Sequence, residues 1–83
     1  MPRVYFTPNS EKTFQKIKDK KLKSRIGVAI LKLSKNPFAG EKLKGTLSNQ
    51  YKLKVWPYRI VYFIKPNKEI VITDVGHRKD VYR

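Results

Sequence analysis

Cysteine is absent from this 83-residue chain, histidine and tryptophan each occur once, and only 6 side chains are acidic. With no cysteine there is no disulfide framework, and the lone His77 leaves no conventional zinc site. Stability therefore has to come from packing, with or without help from a partner. No segment approaches the ~20 consecutive apolar residues of a membrane-spanning helix. The amino-terminal MPRVYFTPNS also lacks a long apolar stretch, so the chain reads as cytoplasmic, with no membrane partner. Repeats, linkers and low-complexity tracts are missing too. Residues 1–83 read as a single domain, close to the smallest size that one apolar core can stabilise unaided. Nothing in the sequence calls for a cofactor.

What is abundant is positive charge: 20 Lys plus Arg give a formal net charge of +14. Such an excess repels itself and attracts polyanions, which points to nucleic acid, an acidic protein or an anionic surface. Neutralising ~6 phosphates on binding would make affinity fall ~10³-fold between low and moderate salt. The plainer alternative is a lysine-rich solvated surface of the kind enriched in thermophiles.

Local patterns place the elements. Val4, Tyr5 and Phe6 form a short strand signal, followed by Thr7 as a helix N-cap and Pro8 at the first helical position. Phe14, Ile17 and Lys18 sit at helical spacing, and Leu22, Ile26, Ala29, Ile30 and Leu33 mark a second amphipathic stretch. Two helices, or one bent near Asp19 to Lys23, satisfy this pattern. Gly27 inside it implies close packing against another element, since glycine there costs roughly 1 kcal/mol relative to alanine. Asn36-Pro37 stops the helix. The polar segment Phe38 to Gln50 reads as a long loop.

Alternation begins at Tyr51. Tyr51, Leu53 and Val55 share one face, while Lys52, Lys54 and Trp56 share the other. Pro57 interrupts, and Tyr58, Ile60, Tyr62 and Ile64 then alternate with Arg59, Val61 and Phe63, completing an antiparallel hairpin. Pro66 to Glu69 forms the next turn, and Ile70 to Val75 the last strand. The expected fold is a compact α+β domain of order βααβββ, with two helices on a small, mainly antiparallel sheet. Its helix-facing side takes Tyr51, Tyr58 and Tyr62, and its opposite face is cationic. Trp56 and Phe63, on that face, are candidates for stacking on nucleobases. The terminal VGHRKDVYR adds His77, Arg78 and Tyr82, which combine proton-transfer and phosphate-binding groups.

The segment LKGTLSNQYKLKVWPYRIVYFI (Leu43 to Ile64), followed by VGHRKDVYR, resembles the RelE/ParE superfamily of type II toxin–antitoxin toxins, and its RelE branch most closely. The resemblance covers most of the chain and rests on LKG, YKLKV, YRIVY and GHRKDVY occurring in that order. It implies a RelE-like fold and a ribosome-dependent, metal-independent endoribonuclease that cuts messenger RNA and inhibits translation. Its implied partners are an acidic antitoxin, held in a toxin–antitoxin hetero-oligomer, and the ribosome, with 16S-type rRNA and mRNA in the decoding site. A ParE-like relative would instead inhibit DNA gyrase without cutting RNA, and an inactive nucleic-acid-binding module is a further alternative.

Carried over by motif, Lys52 and Lys54 match the basic pair, Arg59 the strand arginine, Arg78 the arginine after the glycine of the last strand, and Tyr82 is the nearest match to the terminal aromatic. Arg78 and Tyr82 stand closer together than in the RelE pattern. Cleavage by 2′-hydroxyl attack needs a base, cations on the phosphoryl oxygens and an acid at the leaving oxygen. Arg59 and Lys52 are expected to hold the phosphate, because a guanidinium can do so bidentately. Arg78 is expected at the leaving oxygen or in the same clamp, and Tyr82 as a group that stacks on a base, orients the 2′-hydroxyl or transfers a proton. Lys54 is the candidate base, crowding among cations favouring the neutral amine. His77 and Glu41 are secondary candidates for acid–base work.

Overall fold

The computed structural model describes residues 3–43 and 50–77. Strand β1 (Val4–Phe6) leads into helix α1 (Pro8–Gln15) and helix α2 (Lys20–Lys35), followed by β2 (Glu41–Lys42), β3 (Gln50–Val55), β4 (Tyr58–Ile64) and β5 (Ile70–His77). The five strands form one mixed sheet in the order β1-β5-β4-β3-β2. Only β1 runs parallel to its neighbour, pairing Val4 with Ile70 and Phe6 with Ile72. The α+β architecture expected from the sequence is therefore present, with one strand more than anticipated.

Thr7 does begin the first helix. Its hydroxyl accepts from Ser10 N at 3.3 Å, and Pro8 occupies the first turn, where its missing N–H removes nothing. Ser10 is buried and its hydroxyl donates to the Ile72 carbonyl at 2.7 Å, tying α1 to β5. Two separate helices form because Asp19 caps the second, accepting from Leu22 N at 3.1 Å. Ile17 falls between them, outside the helical run in which its spacing had placed it, yet it is buried. Asn36 terminates α2, as expected, with Pro37 next in the chain.

The helices cover one sheet face. Leu22, Ile26 and Leu33 of α2 meet Ile60, Tyr62, Ile70, Ile72 and Val75 in a single core. Ile72 and Val75 are three residues apart, so strict alternation would point them to opposite faces. A bulge resolves this. Tyr62 pairs with Ile72 and Val61 with Asp74, leaving Thr73 as the extra residue, and its hydroxyl bonds the Val61 carbonyl at 3.2 Å. The bulge returns Val75 to the core side and extends β5 to His77, two residues beyond the strand read from the sequence.

Two other expectations need correction. The segment from Phe38 to Gln50 is not all loop, because Glu41 and Lys42 pair antiparallel with Lys52 and Tyr51. Gly27 does not mark close packing either, since a Cβ added there meets nothing within 4 Å among the described residues. Glycine in that position only loosens α2. We therefore expect Gly27→Ala to stabilise the domain by about 0.5–1 kcal/mol, a rise of roughly 2–8 °C in Tm at this chain length. Thermal unfolding followed by circular dichroism checks this, and a lower Tm would show that the helix face does make a contact there.

Candidate functional site

Register assembles the site. Lys54 lies directly across from Arg59 and Lys52 across from Val61, while Glu41 on the other flank lies across from Lys52. Directly opposed residues share a sheet face. Arg59 in turn faces Gly76, and Val61 faces Asp74. The face away from the helices thus carries Glu41, Lys52, Lys54, Arg59 and Asp74. Arg59 sits where β5 offers only a glycine beside it, and its Nε and Nη1 are withdrawn from solvent. Lys54 is exposed.

Lys52 is more restrained. Its Nζ lies 3.5 Å from Glu41 Oε2, with the lysine side chain 20% exposed and the carboxylate 69% exposed. A pair with one partner so open to water contributes little stability, but it does orient the ammonium. A small cavity of about 210 Å³ opens here between Gly40, Glu41, Lys52 and Lys54.

Glu41 is placed by a contact that composition and spacing do not reveal. Tyr62 is fully buried, and its ring stacks on Tyr51 at 5.5 Å. Its hydroxyl accepts from Gly40 N at 3.0 Å and donates to the Pro37 carbonyl at 2.8 Å. A Cβ on Gly40 would come within 2.6 Å of both the Lys52 carbonyl oxygen and the Tyr62 hydroxyl, so only glycine fits. The turn after α2 is therefore clasped to the sheet immediately before Glu41. Burial raises the Tyr62 pKa, opposed by the Gly40 hydrogen bond and assisted by Tyr51. The sequence signal for this clasp was a tyrosine amid Ile and Val, whose hydroxyl needs a buried partner.

The other site candidates divide. His77 pairs in register with Tyr58 and meets its ring edge-to-face at 5.9 Å, on the side of the sheet that carries Ile60 and Val75. It is thus not on the face of Lys54 and Arg59. Arg78 and Tyr82 lie outside the described residues. On the flank of β3, a groove of about 340 Å³ runs beside α2, floored by Val28, Ala29 and Leu53 and edged by Arg25, Lys32 and Lys54.

With this geometry in view, the chain can be placed among known proteins. The family model for the ParE toxin of the type II toxin–antitoxin system parDE matches residues 4–82, and the chain belongs to that family. Its fold is RelE-like. The RelBE2 toxin–antitoxin complex of Mycobacterium tuberculosis superposes with a TM-score of 0.79 at 27% identity, over 94% of this chain and 100% of that one. The RelB–RelE complex of Methanococcus jannaschii gives 0.76 at 25% identity, with 95% of each chain covered. Isolated Escherichia coli RelE gives 0.81 at 23% identity, covering 99% of this chain and 92% of that chain. No curated protein matches the chain significantly. Among the described residues, no helix is long and apolar enough to cross a membrane.

The clasp makes a stability prediction. Tyr62→Phe keeps the stacked ring but leaves the Gly40 N–H and Pro37 carbonyl without their partner, a loss of about 1–3 kcal/mol or roughly 5–20 °C in Tm. Because the folded-state phenol pKa is raised above the unfolded value of about 10, this group's contribution is intact below that pH. It is lost as pH rises through the folded-state pKa. Thermal melts across alkaline pH should show that loss in the parent chain and a smaller one in Tyr62→Phe. A Tm unchanged by the substitution would rule the clasp out as a stabilising contact.

Proposed function

We propose that this toxin is a ribosome-dependent, metal-independent messenger RNA endonuclease. The observation that carries the reading is the direct opposition of Lys54 and Arg59, with Lys52 two residues away, on one open face of the sheet. In this reading Arg59 and Lys52 hold the phosphate, and Lys54 accepts the proton of the 2′-hydroxyl. The 2′-oxygen attacks phosphorus and the bond to the 5′-oxygen breaks. Arg78 stabilises the departing oxygen, which takes its proton from water, and Tyr82 stacks on or orients the substrate. Glu41 acts as the counterion that orients Lys52 until a phosphate replaces it, and His77 has a packing role against Tyr58. Such a set of cations is a modest catalyst alone. Substrate positioning by the ribosome can contribute up to ~7–11 kcal/mol, so free RNA is a poor substrate.

The solved RelBE complexes pair a toxin with an antitoxin. For this chain, an acidic amphipathic antitoxin segment suits the groove beside α2, with apolar contacts on Val28 and Leu53 and charge contacts on Arg25 and Lys32. Cytoplasmic action follows from a ribosomal target. A second reading is favoured by the ParE description of the matched family: inhibition of DNA gyrase by the same basic surface, without RNA cleavage.

Primer extension on a messenger RNA in a purified translation reaction, with and without ribosomes, separates the two. The expected result is a new cut that requires ribosomes and is slowed about 10²–10³-fold by Arg59→Ala or Arg78→Ala, the usual loss for one transition-state donor. No cut from folded protein, together with loss of gyrase supercoiling activity in a parallel assay, would replace this reading with the second.

A further inference from the structure

The sheet has an open stretch at its β3 margin. β2 accompanies β3 only as far as the pair Glu41 and Lys52, so among the described residues no strand lies beside Leu53, Lys54 and Val55 on that side. The ladder decides which of the three turns its backbone outward. In an antiparallel strand the N–H and C=O of successive residues point to alternate neighbours. The Gln50 carbonyl points to the β2 side, where Leu43 N donates to it at 2.8 Å. Lys52 and Lys54 share that parity, while Leu53 and Val55 direct their backbone groups to β4. Lys54 therefore presents one N–H and one C=O to the open margin.

This margin is one wall of the groove beside α2, whose other wall carries Arg25, Val28, Ala29 and Lys32. Val28 is 60% exposed, an apolar side chain left in water next to an open strand. A strand added here has its pattern dictated from both sides. Directly opposed residues share a face, so the residue opposite Lys54 lies on the cationic face and its two neighbours turn toward α2, Val28 and Leu53. Charge fixes the chemistry of the first. A chain of net charge +14 with Arg25, Lys32 and Lys54 around the groove repels a second copy of itself and favours a carboxylate opposite Lys54. We propose that the outer edge of β3 at Lys54 takes an extended segment of the antitoxin as an additional strand, with the pattern apolar, acidic, apolar and the acid opposed to Lys54. Antiparallel pairing, the direction β2 already has, lets that acidic residue exchange both backbone hydrogen bonds with Lys54. This rests on the toxin–antitoxin part of the function proposed above but not on RNA cleavage. Lys54 borders both the groove and the cavity at Glu41, so the strand that grips the fold also neutralises a lysine of the candidate site.

The probe is the peptide acetyl-Glu-Leu-Glu-Leu-Glu-amide, titrated into the intact isotope-labelled chain and followed by amide NMR. Saturable shifts should centre on Leu53 to Val55, and exchange of the Lys54 amide with solvent should slow. Methylating the backbone nitrogen of the central glutamate keeps its charge but removes its hydrogen bond to the Lys54 carbonyl. That change should weaken binding at least ~2-fold, the lower bound for one hydrogen bond of ~0.5 kcal/mol at 1.4 kcal/mol per tenfold. The reordered peptide acetyl-Leu-Glu-Glu-Glu-Leu-amide, with equal charge and no alternation, should bind more weakly. Val28→Glu, a substitution at an exposed position outside the core, should abolish the shifts at peptide concentrations that saturate the parent chain. No protection of the Lys54 amide, equal binding of the methylated or reordered peptide, or parent-like binding in Val28→Glu would each overturn the proposal. Oligouridylate slowing the Lys54 amide as strongly would assign this edge to RNA instead, and protection that grows with protein concentration alone would assign it to a second copy. The titration uses neither ribosomes nor messenger RNA, so its failure leaves the nuclease reading standing, and absence of cleavage leaves the strand site standing.

Discussion

The register between β3 and β4 governs what the sheet presents on either side. A connection of only Trp56 and Pro57 sets Val55 across from Tyr58, and from there every pair follows, Lys54 with Arg59, Leu53 with Ile60, Tyr51 with Tyr62. A slip of one residue would send Ile60 and Tyr62 into solvent and Arg59 into the core. Both of those apolar residues are fully buried, so the cost of burying charge and exposing them holds the register. The cationic face is therefore a by-product of the same alternation that builds the core, and the residues that stabilise the fold are the ones that aim the candidate site residues.

Tyr62 connects the two sides of this arrangement. Its ring belongs to the core and its hydroxyl reaches Gly40 and Pro37 at the sheet margin. That reach turns an otherwise polar connection into the start of β2 and sets Glu41 against Lys52. At the opposite margin Glu69 collects hydrogen bonds from Asn67, Tyr5 and Lys65. The first of these is the main cause holding its pKa below the usual value. One margin thus shapes the site, and the other ties β1 to the β4–β5 turn.

Much of this was legible in the sequence wherever a local chemical rule decides structure. Thr7-Pro8 and Asn36-Pro37 marked helix ends through capping and proline geometry, and alternation from Tyr51 to Ile64 marked both strands and their two faces. What escaped was decided by contacts distant in the chain. Glu41 and Lys42 have no strand pattern of their own and pair only because Tyr62 holds the turn before them. The bulge at Thr73 could not be placed from Ile72 and Val75 alone, and without it the side on which His77 falls is undetermined. Gly27 suggested a tight contact because glycine in a helix usually needs a reason, yet the space beside it is open. Of the site, Lys52, Lys54, Arg59 and Glu41 come together on one face, whereas His77 belongs to the other.

The chain is thus a ParE-family toxin with a RelE-like fold, in which a two-residue turn fixes a cationic face opposite the core. The measurement that tests this most directly is the salt dependence of binding to purified ribosomes, for the parent chain and for Lys52→Ala, Lys54→Ala and Arg59→Ala. If these residues each contact a phosphate, every substitution lowers the slope of log K against log salt by about one. Slopes unchanged in all three variants would mean that RNA is held elsewhere on this highly charged surface, and the face described here would lose its role.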